Sequence, residues 1–154
     1  MNNFLQILVL IRFHNLLLGA GAVFVAAYLL DATYNLLLIQ CMLIVITSMA
    51  IGYITNDILD KPSDLVNHPQ RPLVVGNIKY RGTLFILIFI WFCLLFNINM
   101  WALFFLLMVV VPLLSLYNLY LKKLPLIGNI IISFLLGAVF VFTELMLFNT
   151  FHQL

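Results

Sequence analysis

An all-α, multi-span transmembrane helical bundle of about five helices, forming one domain over 1–154, is the fold class this sequence predicts, and three observations carry it. The chain is 66% hydrophobic and 8% charged, with a mean hydropathy of +1.21, whereas a soluble domain carries about 25% charged residues. Five apolar runs, at about 13–30, 36–54, 83–96, 100–121 and 127–148, approach the roughly 20 residues a helix needs to cross a hydrocarbon core. All seven cations (Arg12, Lys61, Arg71, Lys79, Arg81, Lys122, Lys123) precede the first run or lie between the second and third or the fourth and fifth. That asymmetry puts the N-terminus and those connections on the cytoplasmic side of a cell (inner) membrane, and five spans would leave the C-terminus outside.

The start, Met1-Asn2-Asn3, has no basic n-region, and no cleaved signal peptide is expected. Cys41 and Cys93 fall inside predicted spans and read as small hydrophobes. In the first span, Gly19-Ala20-Gly21-Ala22 and Ala26-Ala27 are small residues that let a neighbouring helix approach closely. Arg12 and Asn15 stand at its inner end. The second span grows polar toward its inner end through Thr47, Ser48, Gly52, Tyr53 and Thr55, a gradient that suits a helix end lining a wet cavity.

The next stretch, Asn56-Asp57-Ile58-Leu59-Asp60-Lys61-Pro62-Ser63-Asp64, holds three of the chain's five acidic residues. As a helix it would put Asn56, Asp60 and Asp64 on one stripe with Asp57 beside them. Carboxylates converging without local cations repel one another, so the pattern predicts a hard divalent ion held by oxygen ligands and bridged to phosphate. The connection 56–82 is long for a helix hairpin, and Pro62 is expected to disturb a continuous helix there. Arg71, between Pro69 and Pro72, is positioned to meet an anion beside the acids. His68 reads as a loop histidine, and Lys79 and Arg81 as interfacial anchors.

Asn97-Ile98-Asn99 makes a tight turn into the fourth span, where Pro112 is expected to kink the helix. The segment from Tyr117 to Asn129 returns Lys122 and Lys123 to the face shared with Asp57, Asp60 and Arg71. Gly128, Ser133, Gly137 and Ala138 are packing positions of the fifth span. Glu144 is expected at its outer interface, and His152 follows in a tail.

Asn56-Asp57-x-x-Asp60-x-x-x-Asp64, then Asn67-x-Pro69-x-Arg71-Pro72-Leu73 and Gly76, resembles the first aspartate-rich motif and loop of the UbiA superfamily of intramembrane prenyltransferases. Tyr117 to Lys122 with Leu-Pro-Leu-Ile-Gly-Asn resembles that family's next inner loop, and the Arg12-x-x-Asn15 start is compatible. In loop pattern the chain is similar to the branch that holds digeranylgeranylglyceryl phosphate synthase and chlorophyll synthase. The resemblance implies the first half of a nine-helix bundle and Mg2+-dependent transfer of a polyprenyl group from its diphosphate to a membrane-associated acceptor. It implies Asn56, Asp57, Asp60 and Asp64 as metal ligands and Arg71, Lys122 and Arg12 as diphosphate contacts. Asn15, Tyr53 and Tyr117 would line the cavity. The family carries a second aspartate motif, whereas the one acid here after Asp64 is Glu144. A truncated frame, a fragment or a split subunit is therefore expected, with a second chain supplying the missing half. A non-catalytic membrane fragment or partner subunit is the alternative. A cation transporter ranks last, because the polar residues stay at the inner helix ends.

Overall fold

A computed structural model describes residues 3–33, 35–76 and 80–148, and every regular element in them is helical. Lys79 and His152 lie outside the described residues. The elements are α1 (Asn3–Leu10), α2 (Phe13–Leu29), α3 (Leu36–Asn67), α4 (Pro72–Val75), α5 (Tyr80–Leu94), α6 (Met100–Leu119) and α7 (Ile127–Phe148). A 3-10 turn, Leu121–Lys123, joins the last two.

Among the described residues α3, α6 and α7 are long and apolar enough to span a membrane alone, and α1 with α2 forms a fourth candidate bent by 57°. The expectation of five full spans is corrected at α5, whose 15 residues fall short of the roughly 20 required. Its Phe85, Ile86, Phe89 and Phe92 are nevertheless exposed, as side chains facing lipid would be. The helix before Arg12 was not foreseen. Arg12 itself takes a left-handed conformation, φ 52°, which separates α1 from α2.

The two expected proline disturbances have different outcomes, and the one at Pro62 is corrected. Helix α3 runs unbroken through Pro62 to Asn67, so much of the expected connection 56–82 is a continuation of the span. In α6 the chain stays helical around Pro112, and the distortion takes the form of a π turn at Leu106–Val110 just before it. Widening the hydrogen-bond ring there absorbs the donor that proline removes.

The core is built from Val23 and Ala27 of α2, Cys41, Ile44 and Val45 of α3, Ala102 and Leu106 of α6, and Phe142 and Leu145 of α7. Asn99 caps α6, accepting from the Ala102 N–H at 2.8 Å, and its amide also donates to the Leu145 carbonyl of α7. Glu144 is not at an interface: Phe142 to Met146 are all buried, Glu144 is 1% exposed, and neither of its carboxylate oxygens is hydrogen-bonded among the described residues. The packing of this part of α7 against its neighbours, and not its place near the end of the run, sets the burial of Glu144.

Candidate functional site

Three structural devices bring Arg12, Arg71 and Lys122 to the C-terminal end of α3. A second small core, Leu10, Ile54 and Leu73, clamps α1, α3 and α4 together. Leu73 thereby fixes Arg71, the N-cap residue of α4, while Pro72 starts that turn and Gly76 ends it at φ 81°. The left-handed break at Arg12 turns its side chain toward α3. On the far side, Gly128 permits α7 to begin against the 3-10 turn, since a Cβ there would lie 3.3 Å from the Leu121 carbonyl oxygen. That contact sets Lys122.

The acids do not form the single stripe expected of them. At 100° per residue Asp57 and Asp64, seven apart, differ by only about 20°, whereas Asn56 and Asp64, eight apart, differ by about 80°. The helix therefore presents two groups. Asp57 Oδ1 is 3.1 Å from Arg12 Nη2 and 3.8 Å from Arg71 Nη1, and Arg71 Nη1 also donates to Asp64 Oδ2 at 2.6 Å. Asn56 donates to Asp60 Oδ2 at 3.0 Å, and Lys122 Nζ donates to Asp60 Oδ1 at 2.5 Å and Asn56 Oδ1 at 3.1 Å. The Arg12 guanidinium lies over the Tyr53 ring, 4.8 Å from its centre. Three carboxylates thus meet three cations, Arg12, Arg71 and Lys122, and the cluster is neutral as it stands.

The two groups differ in which partner is buried: Asp57 and Asp64 are 8% and 7% exposed but their arginines 34% and 32%, whereas Lys122 is 14% exposed and Asp60 28%. Breaking a deeply buried ion pair costs roughly 3–5 kcal/mol, far more than breaking an exposed one. Every pair here joins one nearly buried member to one partly exposed member, so none reaches that full cost and each cation keeps a face toward solvent. Oxygen donors of this kind suit Mg2+. In the present arrangement no three acidic side chains among the described residues converge closely enough to hold an ion, because each carboxylate faces a cation.

Beneath the cluster lies a cavity of about 220 Å³ between α3, α6 and α7. Arg12, Tyr53, Asn56, Tyr117 and Asn118 stand at its mouth, and its deeper wall is apolar apart from Ser48. Tyr53 and Tyr117 both line it. Asn15, half-buried on the first turn of α2, does not belong to the cavity wall. His68 is exposed at the end of α3, and Lys123 is exposed beyond Lys122.

The residue that sequence reasoning passed over is Asn118. It is 6% exposed and donates to the Gly52 carbonyl at 3.1 Å and to Thr55 Oγ1 at 3.2 Å. Gly52 admits α6 this closely, since a Cβ there would stand 3.1 Å from Leu114. The available signal was Asn118 itself, an amide one turn beyond Leu114 in an otherwise apolar helix.

Residues 15–152 match the UbiA prenyltransferase family. The chain is 33% identical over 149 residues to digeranylgeranylglyceryl phosphate synthase of Methanobrevibacter smithii, a match covering 92% of this chain and 51% of that protein. It is 34% identical over 130 residues to the enzyme of the same name from Sulfurisphaera tokodaii, covering 80% and 46%. A solved structure described as giving insights into "the biosynthesis of Digeranylgeranylglyceryl phosphate synthase in membranes" superposes with a TM-score of 0.82 at 31% identity, over 95% of this chain and 54% of that one. The chain spans about half the length of the curated relatives it matches.

Proposed function

Since the chain belongs to the UbiA prenyltransferase family and is an integral membrane protein, we propose that it binds a polyprenyl diphosphate with Mg2+ at the inner end of α3, for transfer of the prenyl group to a membrane-associated acceptor. The single observation that carries this reading is a neutral acid–base cluster at the mouth of an apolar cavity. Such a place accepts a molecule with a charged head and a hydrocarbon tail. The names of the relatives point to an acceptor in ether-lipid biosynthesis carrying a glyceryl phosphate. The cation distribution supports a cytoplasmic orientation for the cluster and the N-terminus.

The chain's own groups have complementary parts. Asp57, Asp60 and Asp64 with Asn56 Oδ1 are the ligands offered to Mg2+, and the ion, when bound, draws charge from the leaving diphosphate. Arg71, Arg12 and Lys122 hold the carboxylates in place without ligand and turn to phosphate oxygens when it arrives, with the arginines able to bind in a two-pronged manner. Tyr53 and Tyr117 put aromatic rings beside the place where a positive carbon would form, the Tyr53 ring already carrying the Arg12 guanidinium over one face. Below them the apolar wall excludes water that would otherwise capture it.

A second reading is favoured by the half-length match and the single aspartate-rich motif: the chain supplies one wall of a centre that further helices complete. Prenyl transfer by the purified 154-residue chain, with and without Mg2+, separates the two. Turnover by the chain alone supports a self-sufficient enzyme. Turnover that appears only with a polypeptide carrying a second aspartate motif supports the half-site. An Asp60→Ala chain that binds prenyl diphosphate with unchanged Mg2+ dependence would sink the assignment of the cluster under either reading.

A further inference from the structure

The cavity has a depth as well as a mouth, and three helices agree on it. Along α3 it is lined from Asn56 down to Ile44, twelve residue steps, or about 18 Å at 1.5 Å per residue. On α6 the lining runs from Tyr117 to Leu106, and on α7 from Ile132 to Phe142. Ile44, Leu106 and Phe142 thus meet at one level, at 0%, 3% and 2% exposure. Behind them the molecule is solid, since all three belong to the same packed core as Cys41, Ala102 and Leu145. The Cys41 thiol is 3.7 Å from Thr143 Oγ1 directly beyond. Ser48 is the one polar residue on the wall below the mouth, and its hydroxyl is engaged by the Ile44 carbonyl and the Trp91 indole.

An isoprene unit adds four main-chain bonds of about 1.5 Å each, which in a zigzag extend about 5 Å. We propose that Phe142, backed by Ile44 and Leu106, is the floor that sets the length of the prenyl chain, admitting about three to four isoprene units below a diphosphate held at the cluster. This rests on the prenyl-diphosphate reading of the site and adds to it a residue that selects among donors. Phe142 is suited to the task because it lines the end of the cavity while belonging to the packed core behind it, at 2% exposure.

The test is equilibrium binding to the 154-residue chain in lipid nanodiscs. The probes are non-reactive thio-analogues of prenyl diphosphates from two to six isoprene units, with Mg2+, alongside inorganic diphosphate. Affinity is expected to rise roughly tenfold or more per unit while each buries some five carbons, and to level off at the third or fourth. Phe142→Ala moves the plateau outward by one unit and Phe142→Trp moves it inward by one, while inorganic diphosphate binds alike to all three chains. If Phe142→Ala fails to fold, Leu106→Ala makes the same outward prediction. A wild-type plateau beyond five units overturns the floor, as does one that ignores both Phe142 variants or a tail that adds no affinity while inorganic diphosphate still binds. Failure of inorganic diphosphate itself to bind strikes the reading of the site instead.

Discussion

Two buried acidic places, separated by about 25 Å along α7, are handled in opposite ways. At the C-terminal end of α3 every carboxylate has a cation: Asp57 has Arg12 and Arg71, Asp64 has Arg71, and Asp60 has Lys122. Near the far end of α7, Glu144 is more deeply buried than any of them and has no hydrogen-bond partner among the described residues. The cause lies in where the cations fall: Arg12, Arg71 and Lys122 reach the C-terminal end of α3, and among the described residues none pairs with Glu144. Burial alone therefore does not mark a site here. What marks it is burial together with counter-ions that a ligand can recruit.

The largest test of that contrast is Arg71→Ala. It removes the partner of Asp64 and one of two partners of Asp57, both nearly excluded from solvent, but Arg71 itself is 32% exposed, so the expected cost is about 1–3 kcal/mol, below that of a deeply buried pair. Denaturation in detergent measures it, and inorganic diphosphate affinity should fall at least tenfold in parallel. A cost below about 1 kcal/mol would mean that pairing does not distinguish the cluster from Glu144. The converse variant, Glu144→Leu, removes an unsatisfied polar group from an apolar surrounding and is expected to stabilise the chain by about 1–3 kcal/mol. A loss of stability there would reveal a partner for Glu144 and erase the contrast.

A smaller effect is expected from Asn118→Leu, which deletes two neutral hydrogen bonds to α3 at about 1 kcal/mol each. Its more telling readout is binding. Asn118 ties α6 to α3 one turn before Lys122 meets Asp60, so diphosphate affinity should weaken severalfold while Arg71-dependent stability is kept. Equal affinity would mean that the 3-10 turn alone positions Lys122.

Much of this was legible in the sequence because hydrophobicity and charge act over whole helices. The span at 127–148 matches α7 at both ends, Tyr53 and Tyr117 line the cavity, and Arg71 and Lys122 pair with the acids of α3. Three features escaped. Pro62 fails to end α3, because a helix already committed by the span above it tolerates one missing donor. The pairing of Asp57 with Asp64 depends on a 20° difference in phase that seven- and eight-residue spacings obscure. Glu144 reads as interfacial from its place near the end of a run, and only the packing of α7 against its neighbours encloses it.

Lys61 gives the finest discrimination. It stands inside the acidic stretch, next to Asp60 in sequence, and by composition alone is as good a counter-ion as Lys122. The helix turns it 100° away, and it makes no ion pair among the described residues. Lys61→Ala is expected to change stability by less than about 0.5 kcal/mol and to leave diphosphate affinity at low salt within about twofold, whereas Lys122→Ala lowers that affinity tenfold or more, because Lys122 Nζ touches both Asp60 and Asn56. Paired titrations of the two variants at two ionic strengths decide the matter. Equal losses that both vanish with salt would make the cluster a diffuse basic surface. A loss confined to Lys122 and surviving salt shows that geometry, and not the count of charges, makes the site.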